Sequence, residues 1–152
     1  MSDAGSDHTD DTDANTDAAR AARTRSGPGR LLIAVYAVFA VAATARSAVQ
    51  LGTRFAEAPL AYLLSAFAAV VYVVATVCLA RGDRTSRRVA TVSIVVELVG
   101  VLTVGTLSIL DPQAFPDATV WSGYGSGYVF IPVVLPVLGL WWLRRTAQVA
   151  DR

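Results

Sequence analysis

Four apolar stretches of about twenty residues each constrain this chain more than any other feature: Leu31 to Leu51, Pro59 to Ala80, Val89 to Leu110 and about Tyr124 to Leu143. Crossing about 30 Å of hydrocarbon needs roughly twenty predominantly apolar residues in helical form. Inside lipid the backbone must satisfy its own hydrogen bonds, which leaves the helix as the fitting element. The expected fold is therefore all-α, a four-helix transmembrane bundle running up-down-up-down. A soluble helical bundle would need polar outer faces, and these segments have none: hydrophobic residues make up 54% and charged residues only 16% of the chain, against about a quarter charged in soluble domains.

The net charge of +1 conceals a strong segregation, since six of the twelve acidic residues lie within the first seventeen positions. Residues 1–30 have no apolar periodicity and read as a disordered tail, acidic and then arginine-rich. The membrane domain is expected over 31–145, with a short tail over 146–152. The acidic start lacks the basic region of a secretory signal, so the tail is expected to remain attached. Arg20, Arg23, Arg25 and Arg30 precede the first span, Arg81, Arg84, Arg87 and Arg88 fill the second connection, and Arg144, Arg145 and Arg152 follow the last. Cytoplasmic flanks carry an excess of basic residues. Both termini are thus expected in the cytoplasm, in a multi-pass protein of the cell membrane. Trp141 and Trp142 at one end, with Trp121, Tyr124 and Tyr128 at the other, suit the two interfaces.

Small and weakly polar residues mark the faces expected to pack. These are Ala40, Thr44 and Ala48 beside Ala43, Ser47 and Gln50 in the first span; Ala61, Ser65, Ala68, Tyr72 and Thr76 in the second; and Ala90, Ser93, Glu97, Gly100 and Val104 in the third. Leu60, Leu64, Phe67, Val71 and Val74 are expected to meet lipid. Pro132 and Pro136 each remove a backbone donor from the fourth span, where a kink is expected.

Glu97 is the one carboxylate within the spans, and an intramembrane ionisable group is a functional candidate by default. It reads either as a proton or cation site or as a neutral acid bonded to Ser93, Thr103 or a carbonyl near Pro136. Arg46, toward the opposite end of the first span, either snorkels outward or joins a polar cluster with Glu97, Gln50, Tyr62 or Glu57. Glu97, Arg46, Gln50 and Tyr62 form the candidate intramembrane polar site. One cysteine, Cys78, and one histidine, His8, offer no set of ligands for zinc, haem or iron-sulfur groups, so neither metal nor cofactor is expected. No nucleophile elbow, phosphate loop or dinucleotide glycine pattern occurs. Thr119 to Gly125, TVWSGYG, is similar to the TVGYG potassium filter but departs from its order; it reads as a glycine-rich outer loop carrying interfacial aromatics.

The runs ATARSAVQLGTRFAEAPLAYLLSA, ARGDRTSRRVA, VELVGVLTVGTLSILDP, FPDATVWSGYGSGYVFIPVVLPVLGL and WWLRR together resemble a family of short actinobacterial integral membrane proteins. The resemblance spans nearly everything after Leu31. It implies a multi-pass membrane protein and brings no established reaction, ligand or partner. Small multidrug exporters share the helix number and a membrane glutamate, but theirs lies in the first helix, so that likeness concerns size alone. The expected role is noncatalytic, an accessory or envelope component in the lipid bilayer with a homo-oligomeric or membrane protein partner and no nucleic acid. A small oligomeric transporter or channel using Glu97 is the alternative.

Overall fold

A computed structural model describes residues 12–19 and 27–150, and these are predominantly helical. A short helix α1 occupies 12–19, followed by α2 (Pro28–Thr53), α3 (Pro59–Arg81) and α4 (Arg84–Leu110), two 3-10 segments η1 (Pro112–Ala114) and η2 (Ser122–Tyr128), and α5 (Ile131–Ala150). Of the tail expected to be disordered, 12–19 is helical and 27–30 forms the cap and first turn of α2; the remainder lies outside the described residues. The helix α5 runs on through the expected boundary at 145.

α2, α3 and α4 are long and apolar enough to cross a membrane; η2 and α5, bent by 97°, make a fourth span if taken as one. α2 packs on α3, α3 on α4 and α4 on α5, with only slight contact between α2 and α5. Leu51, late in α2, packs against Ala61 and Tyr62 at the start of α3, while Tyr36, nearer the start of α2, meets Tyr72 in the second half of α3, their ring centroids 6.2 Å apart. These two helices therefore run in opposite directions.

α2, α3 and α4 are longer than their apolar runs, which shortens the first two connections. α3 ends at Gly82, whose φ of 72° provides the left-handed turn that glycine adopts without a Cβ penalty. Asp83 caps α4 at once: its carboxylate accepts from the Ser86 N–H at 3.1 Å and from the Ser86 hydroxyl at 2.6 Å. Both bonds hold the Asp83 carboxyl below the usual carboxylate range. A carboxylate with a depressed folded-state pKa stabilises above its unfolded pKa and loses that contribution as pH falls through the folded value. Asp83→Ala should therefore lower the melting temperature at neutral pH, and the deficit should shrink as the pH falls below the carboxylate range. An unchanged deficit at low pH would assign the effect to helix propensity instead.

The packing faces are partly those expected. Ala43, Ser47 and Gln50 are buried, but Thr44 and Ala48 face outward, because α2 rests on α3 along the neighbouring row. In α3, Ala61, Ser65, Ala68 and Tyr72 are buried as expected, while Val71, expected at lipid, is buried as well. Leu60 and Phe67 are half exposed.

The fourth stretch departs most from expectation. Tyr124 does not begin a span: Gly123, Tyr124 and Gly125 have φ between 55° and 77°, and Val129 and Phe130 return to that region before α5 starts. Pro132 falls in the first turn of α5, where a missing N–H costs little, so only Pro136 lies inside the helix. The Pro132 ring lies against Gly125, where an added Cβ would come within 2.6 Å of it. Neither the ring nor a backbone at φ 77° can yield cheaply. Gly125→Ala should destabilise the fold by about 2 kcal/mol or more, read as a lower melting temperature in detergent; a neutral effect would contradict this turn.

Candidate functional site

Glu97 lies thirteen residues from either end of α4, roughly 20 Å along the helix. It is fully buried, as are Tyr36 and Tyr72. The Tyr36 hydroxyl donates to Glu97 Oε2 at 2.7 Å. The Tyr72 hydroxyl adjoins the same carboxyl and accepts from Trp121 Nε1 at 3.2 Å. Glu97 Oε1 has no hydrogen-bond partner among the described residues. Three helices and the loop before α5 thus contribute to one buried polar cluster.

Local chemistry puts Trp121 there. Thr119 Oγ1 accepts from the N–H groups of both Trp121 and Ser122 at 3.0 Å, forming a tight turn. Ser108 Oγ, on α4, accepts from the Gly123 N–H at 2.9 Å, and Thr106 Oγ1 is 2.9 Å from the Tyr124 hydroxyl. Two glycines of α4 make room for the rings. A Cβ on Gly100 would lie 2.6 Å from the Trp121 ring, and one on Gly105 would lie 2.6 Å from Tyr124. Gly100 is ten residues from the Leu110 end of α4, so the Trp121 ring reaches roughly 15 Å down that helix. Phe67 meets it edge-on, with centroids 6.1 Å apart. The TVWSGYG segment is a loop folded into the bundle, not one lying over it.

Arg46 belongs to a second cluster. Its guanidinium donates to the Tyr128 hydroxyl at 2.9 Å and to the Ala118 carbonyl at 2.7 Å, and lies 3.9 Å from Asp117. Gln50 Nε2 donates to Asp117 Oδ2 at 3.3 Å. The Tyr62 hydroxyl faces Asp117 without closing a hydrogen bond. A cavity of about 470 Å³ opens beside Arg46, lined also by Ser108, Ser122, Ser126 and Tyr128. The structure therefore brings Arg46, Gln50 and Tyr62 to the Asp117 loop and leaves Glu97 with two tyrosines.

Ser93, Thr103 and the Pro136 region do not supply the partner of Glu97; Tyr36 does. Tyr36, Tyr72, Asp117, Trp121 and Tyr128 are the side chains that the candidate set did not contain. A phenol near the middle of an apolar span needs an acceptor, and that requirement was the available signal for Tyr36. Among the described residues no group of three or more metal-ligating side chains occurs.

No protein-family model, curated protein or solved structure matches this chain. Its functional reading accordingly rests on its own geometry.

Proposed function

We propose that the protein is a noncatalytic, multi-pass component of the cell membrane, an accessory or envelope element whose four crossings run up-down-up-down. The observation that supports this reading is the enclosure of its one membrane carboxylate: Glu97, Tyr36 and Tyr72 have no exposed surface, and Trp121, bonded to Tyr72, is itself 1% exposed. A carboxyl enclosed by tyrosines and tryptophan ties helices and loop together; transport would require it to communicate with both surfaces. Thr44 and Ala48, small and uncovered on α2, suit close approach by a helix of a partner or of a second copy.

Purified protein in proton- and potassium-loaded liposomes should show no flux that Glu97→Gln removes, while purification from native membrane should return a stoichiometric membrane protein partner or a homo-oligomer. Flux abolished by Glu97→Gln would replace this reading with the small transporter or channel, which the unpartnered Glu97 Oε1 and the cavity beside Arg46 favour.

In this reading both termini are cytoplasmic, which is supported by eleven of the thirteen arginines flanking one side of the spans. In a Cys78→Ser background, a cysteine at Gln113 should react with an impermeant thiol reagent in intact cells and one at Thr85 should not. The reverse pattern would invert the topology.

A further inference from the structure

A groove of about 360 Å³ lies between α4 and α5 at the arginine-rich end. Arg84, Arg87, Arg88 and Arg144 line it, and Val95 and Leu140 form part of its apolar wall. Arg87 is fixed in place: its guanidinium donates to the Leu143 carbonyl at 2.9 Å and to Thr146 Oγ1 at 2.7 Å, joining the two helices. Arg84, Arg88 and Arg144 have no carboxylate within ion-pair distance among the described residues. Asp83, the nearest acid in sequence, spends its carboxylate on Ser86. Among the described residues no acidic side chain lines the groove.

We infer that this groove binds the phosphate of an anionic phospholipid in the leaflet at that end of the protein. Guanidinium groups stay charged at any physiological pH and present a planar fork that matches phosphate oxygens. Arg84, Arg88 and Arg144 around one concavity repel each other, and a bound anion relieves that repulsion. The position favours a lipid over a free anion. Val95 lies eleven residues along α4 from Arg84, so the apolar wall runs from the charged mouth roughly 16 Å into the membrane-facing part of the helix. That wall suits the start of an acyl chain below a headgroup, and basic pockets between membrane helices are a known type of acidic-lipid site. This inference is independent of whether the protein acts as an accessory component or a transporter.

The test uses the full chain, stripped of lipid in neutral detergent, with native mass spectrometry on added phosphatidylglycerol or phosphatidylcholine and thermal shifts with the same lipids or inorganic phosphate. Phosphatidylglycerol should be retained at one per chain in preference to phosphatidylcholine. Arg88→Gln and Arg144→Gln should each weaken retention roughly fivefold, and Arg88→Lys by less. Arg145→Gln is the charge-matched control, since Arg145 lies outside the groove, 5.0 Å over the Trp141 ring, and should leave retention unchanged. Equal retention of the two lipids, or equal loss in Arg145→Gln, would overturn the site. Protection by inorganic phosphate equal to that by phosphatidylglycerol would overturn the lipid assignment in favour of a soluble anion.

Discussion

Replacing Trp121 with alanine should lower stability by about 3 to 5 kcal/mol, the range found when buried aromatics are truncated. Three losses coincide. The ring leaves a cavity against Gly100 and Phe67, the Tyr72 hydroxyl loses the Nε1 donor at 3.2 Å, and the loop before α5 loses its deepest anchor. Trp121→Phe removes the donor and part of the ring volume seated against Gly100, for an intermediate cost of about 2 kcal/mol. Thermal unfolding in detergent measures both, and limited proteolysis between Asp111 and Phe130 should accelerate in the alanine variant. An alanine variant with wild-type melting and proteolysis would mean that Trp121 is not seated in the bundle.

Glu97→Ala is expected to cost about 3 kcal/mol, combining a vacated volume with a Tyr36 hydroxyl left without an acceptor. Side-chain hydrogen bonds between membrane helices average only about 0.6 kcal/mol in double-mutant cycles. The orphaned hydroxyl and the cavity therefore outweigh the bond itself. Glu97→Gln, which keeps a carbonyl acceptor in nearly the same shape, should cost far less. Tyr36→Phe combined with Glu97→Leu should recover much of the alanine loss, since removing both polar partners and refilling the space is close to neutral. If the double substitution is as unstable as the sum of its singles, the cluster is not the pairwise arrangement described. The corresponding cycle between Arg46 and Glu97 should be additive, because Arg46 is bonded to Tyr128 and Ala118.

Apolar length alone located α2, α3 and α4, because some twenty residues with at most one charge leave a chain few other options in lipid. Their ends were less legible: Arg84 to Arg88 read as a connection, yet Gly82 and Asp83 turn and cap so tightly that α4 absorbs them. In the second span the small-residue rule found most of the inward face; in α2 it could not choose between two adjacent rows of similar size, and Thr44 and Ala48 are on the outward one. The loop of Trp121 was hidden by an ambiguity of chemistry. Tryptophan and tyrosine near a span end suit an interface, and the same residues fill a notch when glycines lie opposite. Gly100 was read as a contact for another helix, whereas an aromatic ring occupies its space. Glu97 stood out because it is a lone acid; its tyrosine partner was obscured because Tyr36 is itself mostly hydrocarbon.

The short α5 has a consequence for how the chain is made. From Ile131 to Leu143 the helix supplies roughly 20 Å, too little to cross about 30 Å of hydrocarbon alone. Immediately before it, the turn closes its own N–H groups through Phe130 to the Gly125 carbonyl and borrows Ser108 from α4 for the Gly123 N–H. A segment that depends on an earlier helix for its backbone bonds cannot partition into lipid on its own merits. Taken as one crossing with η2, it is expected to enter after α4, whose Ser108 must be in place to receive it.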